Sequence, residues 1–161
     1  GAMNPCPCGF YGDADSLHPC SCSESNIARY RAKLSGPLLD RFDLKIHVPR
    51  IQYEEFRNKE LGESSTAIRE RVLAARERQL FRFEKSITNA QMSRKMMRRY
   101  CQLNTAGEKL LKQVFEQLHL SARSHDRILK VARTIADLDG SEWVEADHLA
   151  EAIQMRTDWT E

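Results

Sequence analysis

Residues 105–156, TAGEKLLKQVFEQLHLSARSHDRILKVARTIADLDGSEWVEADHLAEAIQMR, decide the fold class. Their apolar residues recur at helical spacing and do not alternate. Thr105-x-x-Glu108 fits a capping box. It opens a helix whose Leu110, Leu111, Val114, Phe115 and Leu118 form one stripe. Ser121 caps the next helix, with Ile128, Leu129, Ala132, Ile135 and Ala136 turned inward and Gly140 at its end. A last helix, about 145–156, buries Leu149, Ala152 and Ile153. Three amphipathic helices on short connections predict a bundle.

Upstream the helical pattern continues and then breaks. A helix over about 93–100 follows Ser93, and a longer one over about 66–84 is capped by Ser64, Ser65 or Thr66. The longer helix places Ile68, Val72 and Ala75 on one face. A short helix around 52–59 ends before Gly62. Before Pro49 the period changes: Leu44, Ile46 and Val48 alternate with Asp43, Lys45 and His47, the pattern of a strand. Residues 26–35 read as a short helix capped by Ser25, with Gly36-Pro37 stopping it and Pro37–Arg41 forming one more turn. One strand makes no sheet. The expected fold is therefore mostly α: the tail of an α/β domain with one or two strands, followed by a helical bundle.

Composition excludes several classes. The chain has 161 residues, 41% hydrophobic and 30% charged, within the range of folded soluble domains. No apolar run approaches the roughly 18 residues of a membrane helix, and the N-terminus lacks the basic and apolar regions of a secretion signal. No membrane association and a cytoplasmic location are expected, with Gly1 as a cloning scar. The net charge of +2 is unevenly spread: residues 66–100 hold ten Lys/Arg against three Asp/Glu. That segment is either the footprint of a polyanion or a solvated helix face. No GxxxxGK[ST] phosphate loop is present.

Residues 1–25 are rich in Pro, Gly, Asp and Ser, which is loop composition. They carry Cys6-Pro-Cys8 and, eleven residues later, Cys20-Ser-Cys22. Three readings fit: a structural Zn²⁺ on four thiolates, free or packed thiols, and a redox pair. The zinc reading has a physical advantage. The loop has few apolar residues beyond Phe10, Tyr11 and Leu17, so a cross-link is what would order it. His18 is a weaker extra ligand candidate, and Cys101 reads as core. Arg41 in SGPLLDRFDL pairs with Asp40 or Asp43, or else faces an external anion. Arg123 falls in the first turn after the Ser121 cap, where the helix dipole disfavours a cation. Asn4 before Pro5 reads as a turn residue.

The segments MNPCPCGFYGD (3–13), CSC (20–22), KLSGPLLDRFDLKIHVPR (33–50) and LSARSHDRILKVARTIADLDGSEWVEADHLAEAIQMR (120–156) resemble the magnesium-chelatase-like AAA+ ATPases. The cysteine loop favours the competence-associated ComM (YifB-type) branch over the true chelatase subunits. The resemblance implies a tail of an AAA+ αβα core over 1–49, with the Cys-rich loop, and a helical lid over 50–161. It implies that Asn4 is a sensor-1 residue acting on the water that attacks the γ-phosphate. Arg41 would be an arginine finger reaching a neighbouring subunit, and Arg123 a sensor-2 arginine that touches the nucleotide. Walker A and B motifs would lie before residue 1, which makes this the C-terminal third of a longer ATPase and inactive alone. ATP and Mg²⁺ then belong to the parent, which would assemble into a hexameric ring and remodel DNA by branch migration in natural transformation. Two other readings stand beside it: a chelatase-type ATPase remodelling a protein partner for metal insertion, and a zinc-stabilised nucleic-acid-binding module.

Overall fold

Five polar side chains start five helices by the same device. Ser23, Ser64, Ser93, Asn104 and Ser121 sit in extended backbone, and each accepts a hydrogen bond from the N–H three residues on. The structure, a computed structural model, describes residues 1–13, 18–48, 51, 53, 57 and 62–157. Among them the helices are α1 (Glu24–Arg31), α2 (Gly36–Leu39), α3 (Ser65–Phe83), α4 (Arg94–Tyr100), α5 (Thr105–Gln117), α6 (Ala122–Asp139) and α7 (Ala146–Thr157). A 3₁₀ turn, Asn89–Gln91, lies between α3 and α4. Gly140 ends α6 at φ +80°, the left-handed region a side chain disfavours. The helix expected over 52–59 falls mostly outside the described residues. No described helix is long and apolar enough to cross a membrane.

The mostly α reading holds, but the strand does not form. Among the described residues there is no strand, only a single parallel bridge between Leu103 and Val144. Leu44, Ile46 and Val48 are exposed. Their alternation is real, yet a strand exists only through the ladder of a neighbour. Lys45 N–H donates to the Met155 carbonyl at 2.8 Å.

The chain forms two compact units, one of residues 1–42 and 47–59 and the other of residues 43–46 and 60–161. In the first, α1 buries Ile27, and Arg31 donates to the Pro5 carbonyl at 3.4 Å while stacking over the Tyr11 ring. In the second, α6 is central. Its Ile128, Leu129, Ala132 and Ala136 meet Leu149, Ala152 and Ile153 of α7, with Phe83, Met92, Met97, Cys101 and Leu111 closing the core. Each Leu, Ile, Met or Phe side chain among them contributes roughly 1.5–3 kcal/mol by leaving water.

Three local readings are corrected, the first being that Ser23, not Ser25, caps α1, accepting from Asn26 N–H. Asn104, not Thr105, caps α5, accepting from Gly107 N–H at 2.8 Å. Adjacent cap-type residues compete for one site, and Asn104 holds it. On α3 the buried positions are Ala75, Gln79 and Phe83, while Ile68 and Val72 are exposed. The helix leans on the bundle through its C-terminal half, and polar Gln79 hid that face from the periodicity.

The unit also holds a buried polar centre that the sequence reading missed. Asp137, fully buried on α6, accepts from Arg82 Nη1 and Asn89 Nδ2, both at 2.8 Å, and from Arg133 Nε at 3.1 Å. Arg133 is 1% exposed and also donates to the carbonyls of Ser141 and Glu142. One carboxylate thus ties together α3, the 3₁₀ turn, α6 and the loop after Gly140. Burial pushes its pKa up, but the hydrogen bonds from Arg82 and Asn89 and the charge of Arg133 outweigh that and hold it below the usual carboxylate range. A lowered folded-state pKa means the stabilisation is complete above the unfolded value of about 3.9 and drains away as pH falls below it. Asp137→Ala leaves two guanidiniums uncompensated and is expected to cost about 3–5 kcal/mol in chemical denaturation at neutral pH. A loss under 1 kcal/mol would contradict the role given to this network.

Candidate functional site

The four N-terminal cysteines converge. Cys6 and Cys8 sulfurs lie 3.3 Å apart, Cys6 and Cys20 3.7 Å, and Cys8 and Cys20 3.5 Å. All four Sγ atoms, that of Cys22 included, fall within 4.8 Å of one another. Four sulfurs held tetrahedrally at about 2.3 Å from Zn²⁺ are about 3.8 Å apart by that geometry, so the cluster fits the ion. The tightest separation is within a CxC pair, where one intervening residue leaves least room.

The chain builds this cage with tight turns. Gly9 N–H donates to the Cys6 carbonyl at 3.1 Å, and Gly9 adopts φ +87°. A Cβ there would sit 3.6 Å from Asn4 Nδ2, ordinary contact, so the dihedral and not the space calls for glycine. The same contact places the Asn4 side chain over the turn that carries the cysteines.

Backbone amides aim at the sulfurs. The Phe10 N–H, two residues after Cys8, lowers the Cys8 pKa to about 6, so that this thiol is ionised at neutral pH. Burial and Cys8 push Cys6 up, but the N–H groups of Tyr11 and Gly9, with the Cys20 thiol, outweigh them and hold it below the ordinary thiol value. The Cys22 N–H does the same service for Cys20 as Phe10 does for Cys8. There, burial and the neighbouring Cys8 and Cys6 sulfurs outweigh it and push Cys20 up to about 12. Cys22 is raised for the same reasons, against the Cys8 N–H. Cys8 and Cys6 are thus lowered while Cys20 and Cys22 are raised, and a dication is the partner that lets all four ionise. With four protein ligands, such a centre is closed and therefore structural.

His18 does not join the sulfurs. It is exposed, with its ring 6.0 Å from that of Phe10. Cys101 is core as expected, and burial pushes its thiol up to about 11. The residues between the cysteine pairs at 14–17, with Leu17, lie outside the described residues.

Asn4, Arg41 and Arg123 are all exposed. Arg41 follows the turn of α2 and donates from Nη1 to the Pro37 carbonyl at 3.1 Å. Arg123 is the second residue of α6, and the next residue, Ser124, is buried. Ser124 Oγ accepts from Arg156 of α7 at 2.9 Å, which fixes the start of α6 against the last helix. Sequence reasoning missed this clamp, since a buried Arg–Ser pair 32 positions apart leaves no local signature.

Residues 1–56 match the family described as magnesium chelatase, subunit ChlI, and residues 62–156 match its C-terminal family, magnesium chelatase, subunit ChlI C-terminal. The chain belongs to the magnesium chelatase ChlI family. Within this family it is similar to competence protein ComM of Haemophilus influenzae, 43% identical over 156 residues. It is 40% identical over 157 residues to YifB of Escherichia coli and 38% over 158 residues to YifB of Salmonella typhimurium. These alignments take in 96% of this chain and 30% of each relative, so the chain spans about a third of their length.

Proposed function

We propose that this chain is the sensor, finger and lid portion of an ATP-driven, magnesium-chelatase-like AAA+ motor that assembles as a ring and remodels DNA. Residues 1–49 form the tail of the αβα core and residues 50–161 the lid. A structural Zn²⁺ on Cys6, Cys8, Cys20 and Cys22 fixes the loop beside Asn4. ATP and Mg²⁺ are cofactors of the full-length protein.

The observation that carries this reading is Arg123, an exposed cation in the first turn of an 18-residue helix. The dipole there repels a guanidinium and welcomes an anion, so the side chain is placed for a negatively charged partner. Arg41 has the complementary form, exposed just beyond a short turn. Phosphoryl transfer is chiefly positioning and charge neutralisation, and a planar guanidinium binds phosphate oxygens as a fork. Asn4 would orient the attacking water, Arg41 would enter the site of the neighbouring subunit, and Arg123 would close on the nucleotide.

DNA is favoured over a protein partner by the competence role in the name of the Haemophilus relative and by the basic segment 66–100. ATP turnover of the full-length protein is expected to rise on adding DNA, with the stimulation falling steeply as salt increases, because phosphate contacts release counterions. Turnover indifferent to DNA would contradict this reading and favour the chelatase-type remodeller.

A further inference from the structure

Near its C-terminal end, α3 carries Phe81, which is 90% exposed, while Phe83 two residues on is buried edge-on against Tyr100. The fold therefore has no use for Phe81. Trp143 is a second case, 57% exposed beside the fully buried Val144. Its backbone is pinned on both sides, N–H to Ser141 Oγ at 3.3 Å and carbonyl from the same hydroxyl at 2.8 Å. Both rings line one groove of about 680 Å³, with Arg78 and Arg99. Large aromatic rings held in water by rigid backbone mark a binding surface.

We propose that this groove binds single-stranded nucleic acid, with bases stacking on Phe81 and Trp143 and phosphates meeting Arg78 and Arg99. This rests on the DNA reading above and assigns it a site. Charge selects the occupant. Four arginines line the groove, Arg78, Arg82, Arg99 and Arg133, against two carboxylates; of the basic residues on α4 it is Arg99 that faces it, Arg94 and Arg98 lining a separate pocket. Glu84 and Glu142 are the two carboxylates of the lining, which directs phosphates to Arg78 and Arg99. Aromatic platforms beside a basic track are the common solution for strands whose bases are unpaired, since every base offers a face to stack. The groove floor is preorganised: Arg78 donates to the Asp137 carbonyl at 3.1 Å, and Arg82 and Arg133 are held by the Asp137 carboxylate. The platform therefore pays little ordering cost on binding.

The chain has two tryptophans, so Trp159→Phe leaves Trp143 as the sole indole reporter. Titration of that protein with an oligothymidylate is expected to quench its emission in a saturable, salt-sensitive manner. Phe81→Ala and Arg99→Ala, both at exposed positions, should each weaken binding about tenfold or more with unchanged circular dichroism. Binding with no quenching, or quenching that both substitutions leave intact, would overturn the groove while sparing the DNA reading. Absence of any binding to this chain, while DNA still stimulates the full-length ATPase, would do the same. Self-association of the chain that Phe81→Ala abolishes would overturn it in favour of a protein interface.

Discussion

Arg41→Ala is expected to cut ATP turnover of the full-length protein by about 10³–10⁵-fold, the range an arginine finger supplies, while nucleotide affinity changes only a few-fold. The separation follows from the proposed finger role. A finger neutralises charge that develops in the transition state and contributes little to ground-state binding. Arg41 is exposed, so its truncation should leave stability within about 0.5 kcal/mol, and the variant should unfold at the wild-type midpoint. One of its guanidinium nitrogens, Nη1, donates to the Pro37 carbonyl. Arg41→Lys should recover little, because an ammonium lacks the planar fork. Steady-state turnover and equilibrium nucleotide titration together decide the matter. Wild-type turnover in Arg41→Ala, or a parallel collapse of nucleotide binding, would remove the residue from the finger role.

Cys6→Ser is expected to abolish metal binding by this chain. Cys6 is the fully buried member of the cluster, and its sulfur approaches those of both Cys8 and Cys20. A serine hydroxyl does not replace a thiolate on zinc, and three ligands leave the centre open. The free energy of metal binding to small thiolate sites, apparent values of about 10–16 kcal/mol in zinc-finger peptides, would on this reading also order the loop. Losing it should free Cys8, Cys20 and Cys22 to react with thiol reagents and expose the amides of Gly9, Phe10 and Tyr11 to rapid hydrogen exchange. The bundle of α3 to α7 should keep its protection, since its core is separate. Because all four thiols must ionise, zinc should also leave the wild-type chain as pH falls. Slow thiol reaction and unchanged exchange in Cys6→Ser would mean that packing alone orders the loop.

How much of this was legible in the sequence depends on how local each cause is. Ser93, Ser121 and Gly140 announce helix ends because a cap is a contact across three or four residues. The α6 stripe was readable because its partners are all apolar. Ile68 and Val72 misled because periodicity marks a face but not whether anything covers it. The run 44–48 carries a strand pattern whose ladder requires a neighbour that no sequence window contains. Arg133 and Asp137 stand one turn apart and look like a surface ion pair. Only Arg82 and Asn89, some 50 positions upstream, make that pair the buried centre of the unit. The cysteines were the opposite case. The double CxC pattern named the four sulfurs, while the amide donors from Gly9, Phe10 and Tyr11 are a property of the turn geometry.

A closed metal centre on Cys6, Cys8, Cys20 and Cys22 would order the ground under Asn4. Native mass spectrometry of the chain, purified without chelator, measures it directly. One zinc per chain, lost together with the ordered loop in Cys6→Ser, is the result predicted. A metal-free chain whose four N-terminal thiols titrate freely while it remains folded would contradict it.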